Sequence, residues 1–397
     1  MNIRMSEAPQ ILADPLHEPV LFEFRSASGG VIGRGAPAPV PRGTAETLAG
    51  RLDRAFAAAP PEALIGGALP FDRADRDCLW LGRRSNARTA PAAGLLPPPG
   101  WRLRAEPRPG DYAAAVARAL QIMADETSRP DGLEKIVLAR SLLLQSDAPI
   151  PVETLLDRLG QDPAATAFRV TLPPQGDAPR LLCGATPELL VEKTGALITS
   201  HPLAGSARRA ADPVQDRAAA AGLMASDKDH REHAIVVESI LDVLSPWCRN
   251  LGAPMGTQLT STRSMWHLGT RIEGRLKDPD TPSAVLAALL HPTPAVCGVP
   301  MARANALIRD LEPVARDFYA GAVGWCDPRG DGAWFVAIRC AEISGATARL
   351  YAGAGIVPGS DPMAEAAETG AKFGALLAAL GLSADAGLQG VATEGED

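Results

Sequence analysis

The sequence predicts an α+β fold, and three observations carry that expectation. Strand-like segments come in blocks between helices and do not alternate with them one for one, which disfavours a doubly wound parallel sheet. The 397 residues are 46% hydrophobic with mean hydropathy near zero, so the chain can bury a large core. No repeat period of the kind that builds a solenoid runs through it.

In chain order, residues 20–25 and 63–70 read as short strands and 45–59 as a helix. Four prolines between 91 and 100 mark a surface connection. Residues 111–126 have the pattern of an amphipathic helix and 135–145 that of a strand. Strands at 167–172, 180–184, 189–193 and 196–201, with turn residues between them, predict an antiparallel meander. Helices follow at 213–225 and 228–250, then a strand over 265–276. Two further helices span 284–290 and 301–311, the second closed by Pro313. A second strand series covers 319–327, 334–343 and 348–356. The last long helix runs from 361 to 380 with Asp361 as its N-cap, and the polar, Gly-rich tail over 383–397 frays.

Two acid pairs stand at helical spacing, Asp229 with Glu232 and Glu365 with Glu368. Residues three apart share a helix face, so each pair presents two carboxylates to one point. Most such pairs are solvated faces. Here Glu232 precedes the apolar run 234–237, and Glu365 and Glu368 are nearly the only charges in an Ala/Gly-rich helix. Two such faces brought together would form an oxygen-rich cage suited to Mg²⁺.

Of the 39 Lys plus Arg residues, five are lysines: Lys135, Lys193, Lys228, Lys277 and Lys372. Each is therefore a candidate position where Arg would not serve, because only Lys can release its proton and act as a base. Lys135 opens the apolar strand-like run 135–140; its bland reading is a strand-edge residue with its tip in solvent.

The net charge of −7 with no basic block argues against nucleic acid or an anionic membrane as partner. None of the six cysteines forms a CxxC pair, so they read as buried free thiols in a reducing compartment. Without a signal-peptide pattern or an apolar run of membrane-spanning length, the expected location is cytoplasmic.

Ordered motifs from about residue 134 to 382 resemble the chorismate-utilising enzymes, most closely their isochorismate synthase branch. They include Lys135-Ile136-Val137-Leu138-Ala139-Arg140, Ala185-Thr186-Pro187-Glu188-Leu189-Leu190, Pro202-Leu203-Ala204-Gly205-Ser206 and Lys228-Asp229-His230-Arg231-Glu232-His233. Further on come Trp266-His267-Leu268-Gly269-Thr270, His291-Pro292-Thr293-Pro294-Ala295-Val296-Cys297-Gly298, Ile338-Arg339-Cys340-Ala341, Tyr351-Ala352-Gly353-Ala354-Gly355 and Glu368-Thr369-Gly370-Ala371-Lys372. The resemblance implies one large α+β domain over 1–397, two antiparallel sheets packed together with helices outside. Residues 1–133 would be its divergent N-terminal part and 134–382 its catalytic region.

By the same resemblance, Mg²⁺ is bound by Glu232 and Glu368, with Asp229 and Glu365 orienting the ligands or holding metal-bound waters. Lys135 is the base that activates water, and Glu188 is the acid for the leaving hydroxyl. Arg339 and Lys372 meet a substrate carboxylate, Gly205, Ser206 and Gly353 offer backbone N–H groups, and His267 and Ala295 complete the substrate-binding set. Relatives that use ammonia carry Gln at the position of Lys135, and some carry a nucleophilic Lys at that of Ala204. Lys135 with Ala204 therefore implies water as nucleophile and no glutaminase subunit. Salicylate synthases tend to carry Thr where this chain has Ala295, which implies a reaction that stops at isochorismate. The expected partners are chorismate and isochorismate, and the expected state is a monomer. The alternatives are a salicylate synthase and a catalytically silent ligand-binding relative.

Overall fold

A computed structural model describes residues 18–27, 29–85, 100–176 and 178–389. The expected connection at 91–99, the sequence before residue 18 and the tail from 390 lie outside the described residues. The first part holds β1 (Val20–Ser26), β2 (Gly29–Arg34), α1 (Leu48–Ala57), β3 (Ala63–Leu69), β4 (Cys78–Ser85), β5 (Arg102–Glu106) and α2 (Pro109–Glu126). Next come β6 (Lys135–Gln145), α3 (Val152–Leu159), β7 (Thr166–Gln175), β8 (Ala178–Thr186), β9 (Leu189–Thr194), β10 (Leu197–His201), β11 (Leu203–Arg208), α4 (Pro213–Met224) and α5 (Asp227–Leu244). Then follow β12 (Cys248–Gly252), β13 (Thr257–Ser261), β14 (Met265–Thr270), β15 (Ile272–Leu276), α6 (Ser283–Leu290), β16 (Gly298–Val299) and α7 (Met301–Leu311). The chain closes with β17 (Ala322–Cys326), β18 (Gly332–Val336), β19 (Cys340–Ser344), β20 (Thr347–Ile356), α8 (Pro362–Ala379) and α9 (Ala386–Gln389).

Seventeen of these strands form one antiparallel series of hydrogen-bonded neighbours. It runs β12, β15, β10, β9, β18, β17, β3, β4, β2, β1, β7, β8, β19, β20, β6. The far edge of β6 is shared by β5 and β16. The series folds back on itself. Phe24 of β1 lies 6.4 Å from Phe168 on its neighbour β7 but also 6.2 Å from Phe335 of β18, five strands away along the series. The two expected packed sheets are thus the two halves of one ladder, and the main apolar core fills the space between them. A separate sheet, β11–β14–β13, stands beside it.

Several predicted segments divide in space. The meander over 167–201 is two hairpins, β7–β8 and β9–β10. Between them the chain leaves the β19 side of the ladder and joins β18. The predicted strand over 334–343 divides at the same place into β18 and β19, with Arg339 at φ 51. The strand over 265–276 splits into β14 and β15, which sit in different sheets. The helix predicted over 228–250 ends at Leu244, just before Pro246, and 248–252 pairs with β15 instead. At the C-terminus α9 packs against α8, and its Gly387 carbonyl accepts a hydrogen bond from Arg140 at 3.1 Å.

Candidate active site

The double crossing between ladder halves brings two site residues together. Where β8 hands over to β9 the chain places Glu188, and where β18 hands over to β19 it places Arg339. Backbone bonds stitch the two crossings: Val336 N–H donates to the Glu188 carbonyl (3.1 Å), and Ala185 N–H to that of Arg339 (3.1 Å). Both side chains line one cleft, whose empty space is about 840 Å³ with its open mouth included.

Helices α5 and α8 bring acids to this cleft. Ser226 caps α5 by accepting from Asp229 N–H, and Asp361 caps α8 by accepting from Ala364 N–H at 2.8 Å. The first two turns of each helix then place Asp229, Glu232 and Glu368 in the cleft lining, while Glu365 is buried outside it. Three of the five lysines meet them. Lys135 Nζ is 3.1 Å from Glu232, Lys228 is 2.8 Å from Glu365, and Lys372 is 2.6 Å from Glu368. Ser206 Oγ adds a 3.0 Å bond to Glu368. Among the described residues no three His, Cys, Asp or Glu side chains are gathered at metal-ligand distance.

The four carboxylates nevertheless suit a hard cation in kind. Burial raises the pKa of Asp229, with Glu232 and Glu368 adding to the rise; burial and then Glu368 raise that of Glu365. Such mutual repulsion is what a divalent cation relieves. Glu368 goes the other way: burial opposes its ionisation, but Lys372 and the bonds from Lys372 and Ser206 outweigh it.

Glycines make room for the acids. A Cβ on Gly355 would lie 2.1 Å from Glu232 Oε1, and one on Gly205 would lie 3.0 Å from Asp229 Cβ. Gly205 also has φ +72, where side chains are strained. Gly353 lines the cleft, and its carbonyl accepts from Lys372 at 2.8 Å.

Glu188 is 3% exposed. Burial pushes its pKa up to about 8, against the opposing pull of a Leu203 N–H and of Lys135, Arg339 and Lys372. It therefore holds a proton at neutral pH. His267 lies opposite Ser206 in the small sheet. Burial, then Arg339 and Lys372, lower its pKa to about 3. The ring lines the cleft, and its Nε2 has no protein partner. A neutral His with a free lone pair accepts hydrogen bonds from hydroxyls. Arg339 makes no ion pair among those described and is flanked by Glu368 and Glu188. Ala204 and Ala295 line the apolar wall.

Lys135 differs from the bland reading of a solvent-tipped lysine: its side chain is 0% exposed. It stands behind Glu232, off the direction a hydrogen bond requires, so its ammonium has an ion-pair neighbour but no hydrogen-bond acceptor.

Four residues contribute without a role assigned from the sequence. Tyr319 and Tyr351 stack at 4.7 Å on the cleft wall; their signal was rarity, since the chain has three tyrosines. Lys228 stood in a recognised motif but had no assigned role. Gly355 had no signal beyond its place beside Gly353, because close approach is a tertiary property.

The sequence matches the family of chorismate binding enzymes over residues 85–381. It is 42% identical over 353 residues to isochorismate synthase DhbC of Bacillus subtilis, covering 85% of this chain and 86% of the relative. It is 42% identical over 280 residues to isochorismate synthase EntC of Escherichia coli K12, covering 70% and 69%. The fold superposes on the DhbC structure from Bacillus anthracis with a TM-score of 0.84 at 38% identity, covering 92% of this chain and 97% of that one. With Asp229, Glu232, Glu368, Lys228, Lys372 and the buried Glu188 gathered in one cleft, this chain belongs to the chorismate binding enzyme family.

Proposed function

We propose that this chain is an isochorismate synthase, adding water at ring carbon 2 of chorismate while the hydroxyl at carbon 4 departs. The observation that carries the reading is Glu188, a carboxyl 3% exposed whose burial favours its protonated form, raising its pKa to about 8, in a cleft shared with Asp229 and Glu232 of α5 and Glu368 of α8. A group in that state can give its proton to a leaving hydroxyl. Lys135 is the base toward the incoming water, a role that needs its amine neutral; its nitrogen lies 3.1 Å from Glu232 Oε1, whose carboxylate lines the cleft. Arg339 binds a substrate carboxylate through its two-pronged guanidinium, with Lys372 beside it, and His267 Nε2 accepts from a ring hydroxyl.

Glu232 and Glu368 would hold Mg²⁺, supported by Asp229 and Glu365. When bound, the ion neutralises the substrate's ring carboxylate and draws charge toward it. Ala204 supplies no amine nucleophile, so water is the attacking group and no glutaminase subunit is required. Ala295 supplies no hydroxyl to orient the substrate for pyruvate elimination. The product serves 2,3-dihydroxybenzoate siderophore or menaquinone synthesis. No described helix is long and apolar enough to cross a membrane.

The test is a long incubation with chorismate and Mg²⁺, resolved by chromatography. A mixture of chorismate and isochorismate is expected, because an enzyme lowers the barrier both ways. Stoichiometric salicylate and pyruvate would move the chain to the eliminating branch, and unchanged chorismate would make it a silent relative.

A further inference from the structure

Lys228 reaches across the cleft from α5 to α8. Its ammonium donates to Glu365 Oε1 at 2.8 Å, and this is the one ion pair joining the two helices among the described residues. Lys228 is the outermost of the three lysines at the acid cluster: its side chain is 34% exposed, against 0% for Lys135 and 15% for Lys372. Burial works against its charge, but Glu365, then Glu232 and Glu368, outweigh it, so the ammonium stays ionised. The other two lysines have further tasks, Lys135 as the nominated base and Lys372 against the Gly353 carbonyl. Lys228 has only the carboxylates.

Two roles compete for it. As a strut it would hold α5 and α8 at a set spacing. Both helices are already packed elsewhere, α8 on α2 and β20, and α5 on β11, β14 and α6. A flexible four-carbon side chain adds little to that. Its positive charge, in contrast, acts over distance on every carboxylate in the cluster.

We propose that Lys228 is a positioning residue acting through Glu365, and that its fixed charge at the outer acid pair weakens the cluster's hold on a divalent cation so that the ion exchanges readily. This rests on the reading of Glu232 and Glu368 as metal carboxylates.

The experiment titrates Mg²⁺ alone into the full-length protein by calorimetry at mildly alkaline pH, for the wild type, Lys228→Met, Lys228→Gln and Lys228→Arg. Circular dichroism establishes which variants are folded. Both neutral variants should bind Mg²⁺ about tenfold more tightly, the order expected on removing one screened unit charge from near a doubly charged ion. Lys228→Arg, which keeps the charge, should match the wild type. Weaker or unchanged binding in whichever neutral variant folds overturns the proposal and leaves Lys228 a strut or a bystander. Failure of the wild type to bind Mg²⁺ at all is a different result: it overturns the metal reading, and this proposal with it.

Discussion

Two buried lysines invite comparison, one at the cleft end of β6 and one on β9. Lys135 and Lys193 are 0% and 1% exposed, and each faces a carboxylate, Glu232 at 3.1 Å and Asp331 at 2.9 Å. Lys193 is satisfied. It donates to Asp331 and to the Arg329 carbonyl at 3.3 Å, while Asp331 also accepts from Gly195 N–H. It closes the β9–β18 end of the ladder against the 327–331 turn. Lys135 is unsatisfied: its ammonium has no acceptor in hydrogen-bonding geometry, and the acid it faces opens onto a cleft. Burying a lysine is costly in both places. At β9 the cost is offset by local bonds and serves the fold; at β6 it is left standing, as happens where a group is held ready for chemistry. Satisfaction of the buried charge, and not burial itself, separates the two.

That contrast breaks most sharply at Lys135. Lys135→Gln should fold normally and lose on the order of 10²–10⁴ in turnover, as loss of a general base does. The check is incorporation of ¹⁸O from labelled water at carbon 2; a normal rate in this variant would assign the base elsewhere. Lys193→Met should do the opposite. Leaving Asp331 unpaired should cost roughly 3 kcal/mol of stability, the low end for breaking a buried pair because Asp331 is partly exposed, while the folded fraction keeps its kcat. Denaturant melts with parallel kinetics read both; a large fall in kcat at full stability would erase the distinction.

A finer test adds a single methyl group. Gly355→Ala puts a Cβ where Glu232 Oε1 now lies. The end of a flexible side chain can move, so the fold should survive, but Glu232 shifts away from Lys135. Turnover should fall on the order of tenfold, since small misplacements of positioned groups are costly. Unchanged kinetics with an unchanged Mg²⁺ requirement would show that Glu232 need not sit there.

The mildest effect is on pH dependence. Glu188 must carry its proton to act as an acid, so kcat should decline above about 8 as that proton is lost. The same shift sets a stability trend. The unfolded carboxyl releases its proton near 4.5 and the folded one near 8, so between those values the unfolded chain binds fewer protons and the wild type loses stability as pH rises. Glu188→Gln should be inactive and should lack that slope. A parallel slope in the variant would mean that another group is responsible.

Much of the site was legible because its elements are local. The strand over 135–145 and the Asp361 cap were read at their observed places, since an apolar run and a capping side chain act within a few residues. The acid pairs were visible because helical spacing puts i and i+3 on one face. The errors cluster where a strand changes partners. Residues 265–276 and 334–343 carry strand character throughout, and nothing in local propensity says that each must break so that its halves join different neighbours.

The sequence by itself determined the α+β class, the helices that carry the acids, the rarity of lysine and, through its motifs, the family. Those are properties of composition, period and order along the chain. Tertiary structure alone decided that Glu188 and Arg339 arrive together, because their meeting depends on two crossings more than a hundred and fifty residues apart. It also decided that one buried lysine is satisfied and the other is not, that Gly355 must lack a side chain, and that Lys228 spans the cleft. Each of these is a distance between groups remote in sequence. Such distances are set only when the ladder folds over and its core closes, because local preferences of a few tenths of a kcal/mol cannot specify them.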